Sequence, residues 1–310
     1  METAPQRPWR LGSRGSALAR WQAQEVQRRL AALGETAEIE IISTRGDQRQ
    51  DVRLAEIGGK GLFTQALEAA LAEGRVDLAV HSLKDVPSQL DAGFVLAAIL
   101  EREDPRDALI AAPGTTLEAL PRAARVATGS LRRQAQALAL RPDLRIEPIR
   151  GNVDTRLRRW RAGDFDALLL AAAGLKRLGL AEAVSEWLDP ARFCPSAGQG
   201  ALALEAHRDH RGARALAARL HHAESGAAIA AERALLRRLE CGCLAPVGAY
   251  ARAEAGELHL AAVVAAPDGQ RIVRAQVSGA LADAEDLGRR AAEELLTAGA
   301  GGILRAAESR

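Results

Sequence analysis

Three short segments of the sequence combine glycine, a hydroxyl or amide side chain and arginine where a helix is predicted to begin. They are 11–16, 128–133 and 150–156. Backbone N–H groups and the helix dipole favour an anion at a helix start, and arginine can bind a carboxylate or phosphate through two hydrogen bonds. One such segment alone is most simply a helix cap with a solvated arginine. Three of them at the ends of strands, where α/β proteins bind ligands, indicate a ligand with several negative charges.

The segment 81–87 concentrates titratable side chains directly after the predicted strand 76–80. Asp85 could act there as a general acid or base, and Lys84 could keep a neighbouring carboxylate ionised or bind an anion. A solvated ion pair at the end of a strand explains the same spacing equally well. His81 is more simply a structural hydrogen bonder.

The glycine-rich segment 58–61 contains a lysine but no Ser or Thr after it. Phosphate-binding loops require that hydroxyl, and no G-x-G-x-x-G motif follows a predicted strand. Nucleotide binding is therefore disfavoured, and carboxylates become the favoured anions.

Cys241 and Cys243 are separated by a single residue near the start of the last third of the chain. With His221 and His222 they could form part of a metal site, although the spacing fits zinc sites poorly. Alternatively, one of them is a nucleophilic thiolate that carries a covalent group. Cys194 is most simply a small buried apolar residue.

The composition excludes several classes of protein. The 310 residues include 42 Lys and Arg against 40 Asp and Glu, a net charge of +2, which argues against non-specific binding to nucleic acid or a membrane surface. No stretch approaches the roughly 20 apolar residues that span a bilayer, and residues 1–10 lack the apolar core of a signal peptide. Three cysteines are too few for a disulfide scaffold. We therefore expect a cytoplasmic globular protein.

The order of predicted elements changes along the chain. The first two thirds alternate strand-like and helix-like segments, which predicts parallel sheets covered by helices. After residue 240, three strands, one hairpin at Asp268-Gly269 and a closing helix at 281–296 predict a small α+β domain with an antiparallel sheet.

Taken together, the motifs resemble the porphobilinogen deaminase (hydroxymethylbilane synthase) family from residue 10 onward. Several motifs in the same order are far more specific than any one of them. The blocks that carry the resemblance are 58–63, 81–87, 101–108, 130–134, 150–157, 173–179, 198–201 and 239–246.

The resemblance implies a transferase of tetrapyrrole biosynthesis whose partner is a small molecule, porphobilinogen. Four porphobilinogen units would be condensed head to tail with loss of ammonia, giving hydroxymethylbilane. A dipyrromethane cofactor, one per chain, would be joined through a thioether to Cys243, which matches the family position within Gly242-Cys243-x-x-Pro246. Cys241 is an additional thiol beside it. No metal, nucleotide, nucleic acid or membrane would be required, and a monomer is expected.

The resemblance also implies roles for individual residues. Asp85 matches the catalytic aspartate, which would offset positive charge on the pyrrole groups during loss of ammonia and attack on the resulting azafulvenium cation, and would shuttle the proton. The other side chains would bind the acetate and propionate groups. Expected cofactor binders are Ser82, Lys84, Thr128, Ser130, Arg132, Arg133, Asn152 and Arg156, and expected substrate binders are Arg14, Ser16, Arg150 and Arg177.

The fold implied by the resemblance has two lobes like those of type II periplasmic binding proteins, around a cleft, and a small C-terminal α+β domain. Domain 1 would comprise residues 1–100 and 200–218, domain 2 residues 101–199, and domain 3 residues 219–310. The glycines within 44–61 make that stretch a candidate lid.

Two alternatives come from other classes of protein. A non-catalytic two-lobed anion-binding protein would share the lobes and the helix-start sites but carry no covalent group. A metal- or redox-active regulator would use the cysteines and histidines, and their spacing makes it the weaker alternative.

Overall fold

The computed structural model describes residues 7–44, 64–242 and 245–308. The strands of these residues form two five-stranded sheets and one three-stranded sheet. Cys243, Lys60, the glycine-rich segment 58–61 and the candidate lid beyond Thr44 lie outside the described residues.

The first sheet belongs to lobe 1. Its order is β2-β1-β3-β10-β4, and β10 runs antiparallel to both of its neighbours. The strands are β1 (Trp9–Ser13), β2 (Ala37–Ile41), β3 (Leu78–Ser82), β4 (Phe94–Ile99) and, from later in the chain, β10 (Leu202–His207); the helices are α1 (Ala17–Ala32), α2 (Gln65–Ala72) and α6 (Arg211–Ala218).

The second sheet belongs to lobe 2 and repeats this plan. Its order is β7-β6-β8-β5-β9, and β5 runs antiparallel to both of its neighbours. The strands are β5 (Asp107–Ile110), β6 (Arg125–Ala127), β7 (Arg145–Glu147), β8 (Ala167–Ala171) and β9 (Glu186–Trp187); the helices are α3 (Leu131–Leu140), α4 (Val153–Arg161) and α5 (Ala172–Arg177).

The antiparallel strands are a departure from the all-parallel sheets that the alternation predicts. β5 and β10 are the first strands after the chain passes from one lobe to the other, so each enters its new sheet from the opposite direction. The two passages touch each other, because Glu103 N–H donates to the carbonyl of Gly200 at 3.2 Å. A Cβ at Gly200, whose φ is +89°, would overlap the backbone of Glu103. Glycine is therefore required at this contact.

The third sheet is fully antiparallel and is covered by helices. β11 (Val247–Glu254), β12 (Glu257–Ala265) and β13 (Ile272–Ala280) lie in that order, with α7 (Ala223–Arg238), α8 (Ala284–Thr297) and α9 (Ala300–Glu308). Fully buried leucines of the sheet and of α7 and α8, including Leu235, Leu258 and Leu287, form one apolar core. The predicted α/β class with two lobes and an antiparallel C-terminal unit is confirmed.

The closing helix differs from its prediction in length and number. The predicted segment 281–296 begins with a short 3₁₀ turn, Leu281–Asp283, and continues as α8 to Thr297. A further helix, α9, then follows, since Ala300, Ile303 and Leu304 are buried in the apolar core of the third sheet. Short helices of this kind are hard to infer from sequence because packing, more than intrinsic propensity, stabilises them.

Candidate active site

A cleft with a volume of about 320 Å³ lies between the two lobes and collects most of the residues singled out in the sequence. Lobe 1 contributes the start of α1 and the 3₁₀ turn Leu83–Asp85 that follows β3. Lobe 2 contributes the starts of α3 and α4 and the end of α5. The predicted site residues on its wall are Arg14, Ser16, Ser82, Lys84, Asp85, Ser130, Arg133, Arg150, Asn152, Arg156 and Arg177.

The helix starts on the cleft wall are built as the sequence predicts. Ser16 caps α1 by accepting a hydrogen bond from Ala19 N–H at 3.2 Å, and Ser130 caps α3 by accepting one from Arg133 N–H at 3.4 Å. Asn152 occupies the same position before α4, but its side chain makes no capping hydrogen bond. Its amide therefore remains available to a ligand in the cleft.

The lobe 2 wall is strongly cationic. Nη1 of Arg150 is buried and has no hydrogen-bond partner among the described residues. Arg156 donates from Nε to the carbonyl of Gly151 at 2.8 Å, and burial together with Arg133 and Arg150 lowers its pKa to about 10. Arginines crowded in this way repel one another, and an anion between them would relieve both the repulsion and the missing hydrogen bond.

Arg177 and Lys84 extend the cationic wall. Arg177 donates to the carbonyl of Gly200 at 2.6 Å and lies over the ring of Trp21 at 5.7 Å, and burial lowers its pKa to about 10. Lys84 Nζ lies 3.5 Å from Oε1 of Gln199. Burial, and secondly the charge of Arg133, lower the pKa of Lys84 to about 8.

Arg132 is not on the cleft wall. Its guanidinium lies in a buried network, with Nη1 2.6 Å from Oδ2 of Asp107 and 2.7 Å from the carbonyl of Cys194. Arg133 bonds the same Asp107 carboxylate from Nε at 2.8 Å. Burial alone would raise the pKa of Asp107, but the two arginines outweigh it and hold that pKa well below its usual range. Asp107 therefore fixes both arginines at the start of α3.

The network includes two residues that the sequence analysis did not single out, Asp107 and Gln199. Gln199 donates to Oδ1 of Asp107 at 2.9 Å and accepts from Nη2 of Arg133 at 3.3 Å and from Lys84. Thr128 is buried and accepts from Ser130 N–H at 3.2 Å, so it too lies beside the cleft wall and not on it. Asp107 and Gln199 stand inside blocks 101–108 and 198–201, which was the available signal.

The residues before Cys243 end helix α7. Glu240 has a φ of +53°, and the N–H groups of Glu240 and Cys241 donate to Arg237 and Leu236. This pair of bonds is a Schellman motif, which normally has glycine where Glu240 stands. Cys241 is buried, belongs to the apolar core of the third sheet and packs its Sγ 3.9 Å from the carbonyl of Leu236.

The remaining cysteine and the histidines do not gather into a metal site in the described ranges. Burial raises the pKa of Cys194 to about 12, so that thiol stays protonated. His221 and His222 act as hydrogen-bonding groups around the start of α7, to Ile99 and Ser225. Among residues 7–44, 64–242 and 245–308, no three His, Cys, Asp or Glu side chains lie close enough to hold a metal ion. The helices of the same ranges include none with the length and apolarity of a bilayer-spanning segment.

Comparisons with known proteins cover nearly the whole chain. The family model described as "Porphobilinogen deaminase, dipyromethane cofactor binding domain" matches residues 9–215. The model described as "Porphobilinogen deaminase, C-terminal domain" matches residues 227–297. The first of these spans both lobes and the cleft between them.

Individual relatives agree with the family models. The porphobilinogen deaminase of Paraburkholderia phytofirmans is 50% identical over 301 residues, which are 96% of this chain and 88% of the relative. That of Chromobacterium violaceum is 50% identical over 292 residues, which are 94% of each chain. A periplasmic substrate-binding protein of an ABC transporter from Coxiella burnetii is similar with a TM-score of 0.43 and 17% identity, over 69% of this chain and 92% of that chain. The chain belongs to the porphobilinogen deaminase family.

Proposed function

We propose that this protein condenses four porphobilinogen molecules head to tail, with loss of ammonia, to give hydroxymethylbilane. The observation that carries the proposal is the cleft between the lobes, whose wall combines six cationic side chains with the carboxylate of Asp85. Each porphobilinogen unit has an acetate and a propionate group, so a growing chain is a polycarboxylate. The cationic residues are Arg14, Lys84, Arg133, Arg150, Arg156 and Arg177.

The residues present fit a dipyrromethane, which carries the same acetate and propionate groups. The buried Nη1 of Arg150 lacks a partner in the described part of the chain, and a carboxylate would supply one. We propose that Cys243 holds the cofactor and that Lys84, Arg133, Arg156, Ser82, Ser130 and Asn152 bind its side groups. When bound, the dipyrromethane supplies the pyrrole carbon to which the first substrate is joined.

The structure supports a different way for two of the expected cofactor binders to act. We propose that Arg132 contributes through Asp107, whose carboxylate it shares with Arg133 at 2.6 and 2.8 Å. Thr128 would contribute through the backbone of Ser130, to which it is hydrogen-bonded. Both residues would then position cofactor-binding groups without touching the cofactor.

Asp85 is the residue to which we assign proton transfer and charge stabilisation. It is the last residue of the turn that projects from β3 into the cleft, between cations of both lobes. A carboxylate there offsets positive charge that develops on substrate pyrroles, and a preorganised charge of this kind lowers the barrier directly. Arg14, Ser16, Arg150 and Arg177 would orient the incoming substrate.

The proposal extends to domains, assembly and location. The three sheets support domains at 1–100 with 200–218, at 101–199 and at 219–310, with the chain leaving lobe 1 after Ile99 and returning at Leu202. Membership of the family supports a monomer. The near-neutral charge supports an enzyme of the cytoplasm without nucleic-acid or membrane partners.

Replacing Arg150 or Arg156 by Leu should slow formation of hydroxymethylbilane roughly 10- to 100-fold, because each change removes charge-assisted hydrogen bonds of about 1.5–3 kcal/mol. The measurement is the steady-state rate of product formation from porphobilinogen. Arg158→Leu is the matched control, since Arg158 lies on the same helix and is exposed, and it should retain the wild-type rate. Unchanged rates in both cleft variants would contradict the carboxylate-binding role. A wild-type protein that binds porphobilinogen and forms no product would instead be a non-catalytic anion-binding protein.

The value of kcat/KM should fall as pH rises through about 8, because Lys84 has a pKa of about 8 and the arginines stay charged. A bound carboxylate favours the protonated lysine, so binding weakens once the ammonium loses its proton. In Lys84→Arg the charge persists, and the fall should move to higher pH. Rate profiles measured from about pH 7 to about pH 9, below the pKa of about 10 of Arg156 and Arg177, decide the matter. Superimposable profiles for the two proteins would contradict the assignment to Lys84.

A further inference from the structure

Arg233 reaches from the third domain to the segment that follows Asp85. It lies on α7, which packs on the third sheet, and is 8% exposed. Its Nη2 donates to the carbonyls of Pro87 at 2.7 Å and Ser88 at 3.1 Å, and its Nη1 to that of Val86 at 3.4 Å. One guanidinium thus binds three successive peptide carbonyls directly after the catalytic turn.

These bonds are the main polar anchor of that segment. In the described part of the chain, no other hydrogen bond reaches the backbone of 87–90. Arg233 itself forms no ion pair within 4 Å in the same ranges. Burial lowers its pKa to about 10, and the more distant carboxylate of Glu205 opposes this shift without cancelling it. A buried cation held by carbonyls alone pays for desolvation without an ion pair, so surface solvation does not explain its position.

The turn also has hydrogen bonds and close contacts to the passage between the lobes, which α7 binds separately through Glu232, the acceptor of Gly198 N–H at 2.6 Å. Leu83 N–H donates to the carbonyl of Ala201 at 3.1 Å, and Val86 N–H to that of Leu83 at 3.0 Å. A Cβ at Gly198, whose φ is +74°, would lie 3.0–3.2 Å from Leu83 and Lys84. The passage between the lobes therefore holds the start of the turn, and Arg233 holds the chain just after its end.

Helix α7 also directly precedes Cys243 in the chain. It ends at Arg238, and Cys241 follows in the Schellman motif two residues before Cys243. A small space of about 20 Å³ has Lys84, Arg233 and Cys241 in its lining. Ile229 of the same helix packs with Leu83 and Val86. Arg233 thus adds a polar link between α7 and the segment that carries Asp85.

We propose that Arg233 is a positioning residue, which sets the Asp85 turn relative to the end of α7, two residues before the Schellman position of Glu240. The proposal rests on the roles assigned above to Asp85 and Cys243. A displaced Asp85 would leave substrate binding by the cleft arginines intact. Replacement of Arg233 should therefore lower kcat and leave KM nearly unchanged.

The test compares holoenzyme with Arg233→Met and Arg233→Lys. For Arg233→Met we expect a dipyrromethane content equal to wild type by intact mass, with kcat reduced roughly 10- to 100-fold, the scale of an ångström-sized misplacement, and KM within about threefold. Arg233→Lys keeps a charge that can bind one or two of the carbonyls, and should recover part of kcat.

Two control variants on the same helix separate positioning from stability. Leu235→Ala removes a fully buried side chain from the apolar core of the third sheet. It should therefore lower Tm and leave kcat of the folded holoenzyme near wild type. Arg237→Met removes an arginine whose partner Glu285 is exposed, and should change neither.

A wild-type kcat in Arg233→Met would overturn the proposal. So would a loss of kcat in Leu235→Ala as large as that in Arg233→Met, when both are measured at a temperature at which both proteins are folded. If Arg233→Met does not fold, Arg233→Lys decides: a reduced kcat at unchanged KM supports the proposal, and a wild-type kcat overturns it. Failure of the proposed function is distinguishable, because the wild-type protein itself would then form no hydroxymethylbilane.

Discussion

Replacing Asp85 by Asn should lower turnover by about 10²- to 10⁴-fold, the range attributed to a positioned proton-transfer group, and should leave the cofactor attached. The amide has nearly the shape of the carboxylate, so the turn and its neighbours are preserved. It cannot accept the proton, and it cannot offset positive charge on the pyrroles. The cations around it, Lys84, Arg133 and Arg156, would then face the reacting groups without a compensating charge.

The measurement for this variant combines steady-state kinetics with intact mass. Asp91→Asn is the control, because Asp91 lies on the same connection between β3 and β4 but is exposed, and it should retain both rate and cofactor. A near-wild-type rate in Asp85→Asn would remove Asp85 from the catalytic role. A variant that lacks the cofactor would assign Asp85 to cofactor assembly instead.

The second large effect is expected at Cys243. Cys243→Ser should lack the mass of one dipyrromethane and should lose essentially all turnover, because a hydroxyl at this position is far less nucleophilic than a thiolate. Cys241→Ala should keep both. The reason lies in the burial of Cys241 in the apolar core below the end of α7, since reactive cysteines are accessible to their partners and buried ones are inert.

Intact mass of the two purified cysteine variants distinguishes the sulfurs. Each variant serves as the control for the other, because each removes one thiol and the two cysteines are separated by one residue in the sequence. Loss of the cofactor mass in Cys241→Ala, with retention in Cys243→Ser, would reverse the assignment. Retention of that mass in both would contradict attachment through Cys243 alone.

Features that depend on local sequence were predictable. Ser16 and Ser130 precede apolar helical repeats, and a hydroxyl at that position caps the helix in the way the structure shows. The turn at Asp85 follows the apolar residues Leu78, Ala79 and Val80, which are buried in β3. The end of a buried strand just before Asp85 could therefore be inferred. The resemblance then supplied the chemistry of these positions.

Features that depend on distant parts of the chain were not predictable from residue patterns. The carboxylate of Asp107 meets Arg132, Arg133 and Gln199 only because the chain passes between the lobes twice, at 100–106 and again before Leu202. The burial of Arg132 follows from the same topology. The sequence gives no signal for Arg233, because an arginine on a helix is most simply a solvated surface residue. Its three carbonyl partners become known only from the structure.

Two of the three lysines illustrate the same division. Lys84 adjoins Asp85 in sequence and lines the cleft, so its role could be inferred. Lys176 lies within block 173–179, and the sequence alone indicates no role for it. Its Nζ lies 2.8 Å from Oδ2 of Asp104 and 5.4 Å from the ring centre of Trp187, so it holds the first passage between the lobes against lobe 2.

The most direct test of stepwise condensation on one covalently primed site is the intact mass of wild-type enzyme mixed with less porphobilinogen than is needed for one turnover. We expect the sequence mass plus one dipyrromethane before mixing. After mixing we expect additional species separated by the mass of one porphobilinogen less ammonia. These species should return to the starting mass, with release of hydroxymethylbilane, once further porphobilinogen completes the four additions. A folded protein that forms product and yet shows only the unmodified sequence mass at every stage would contradict the covalent mechanism.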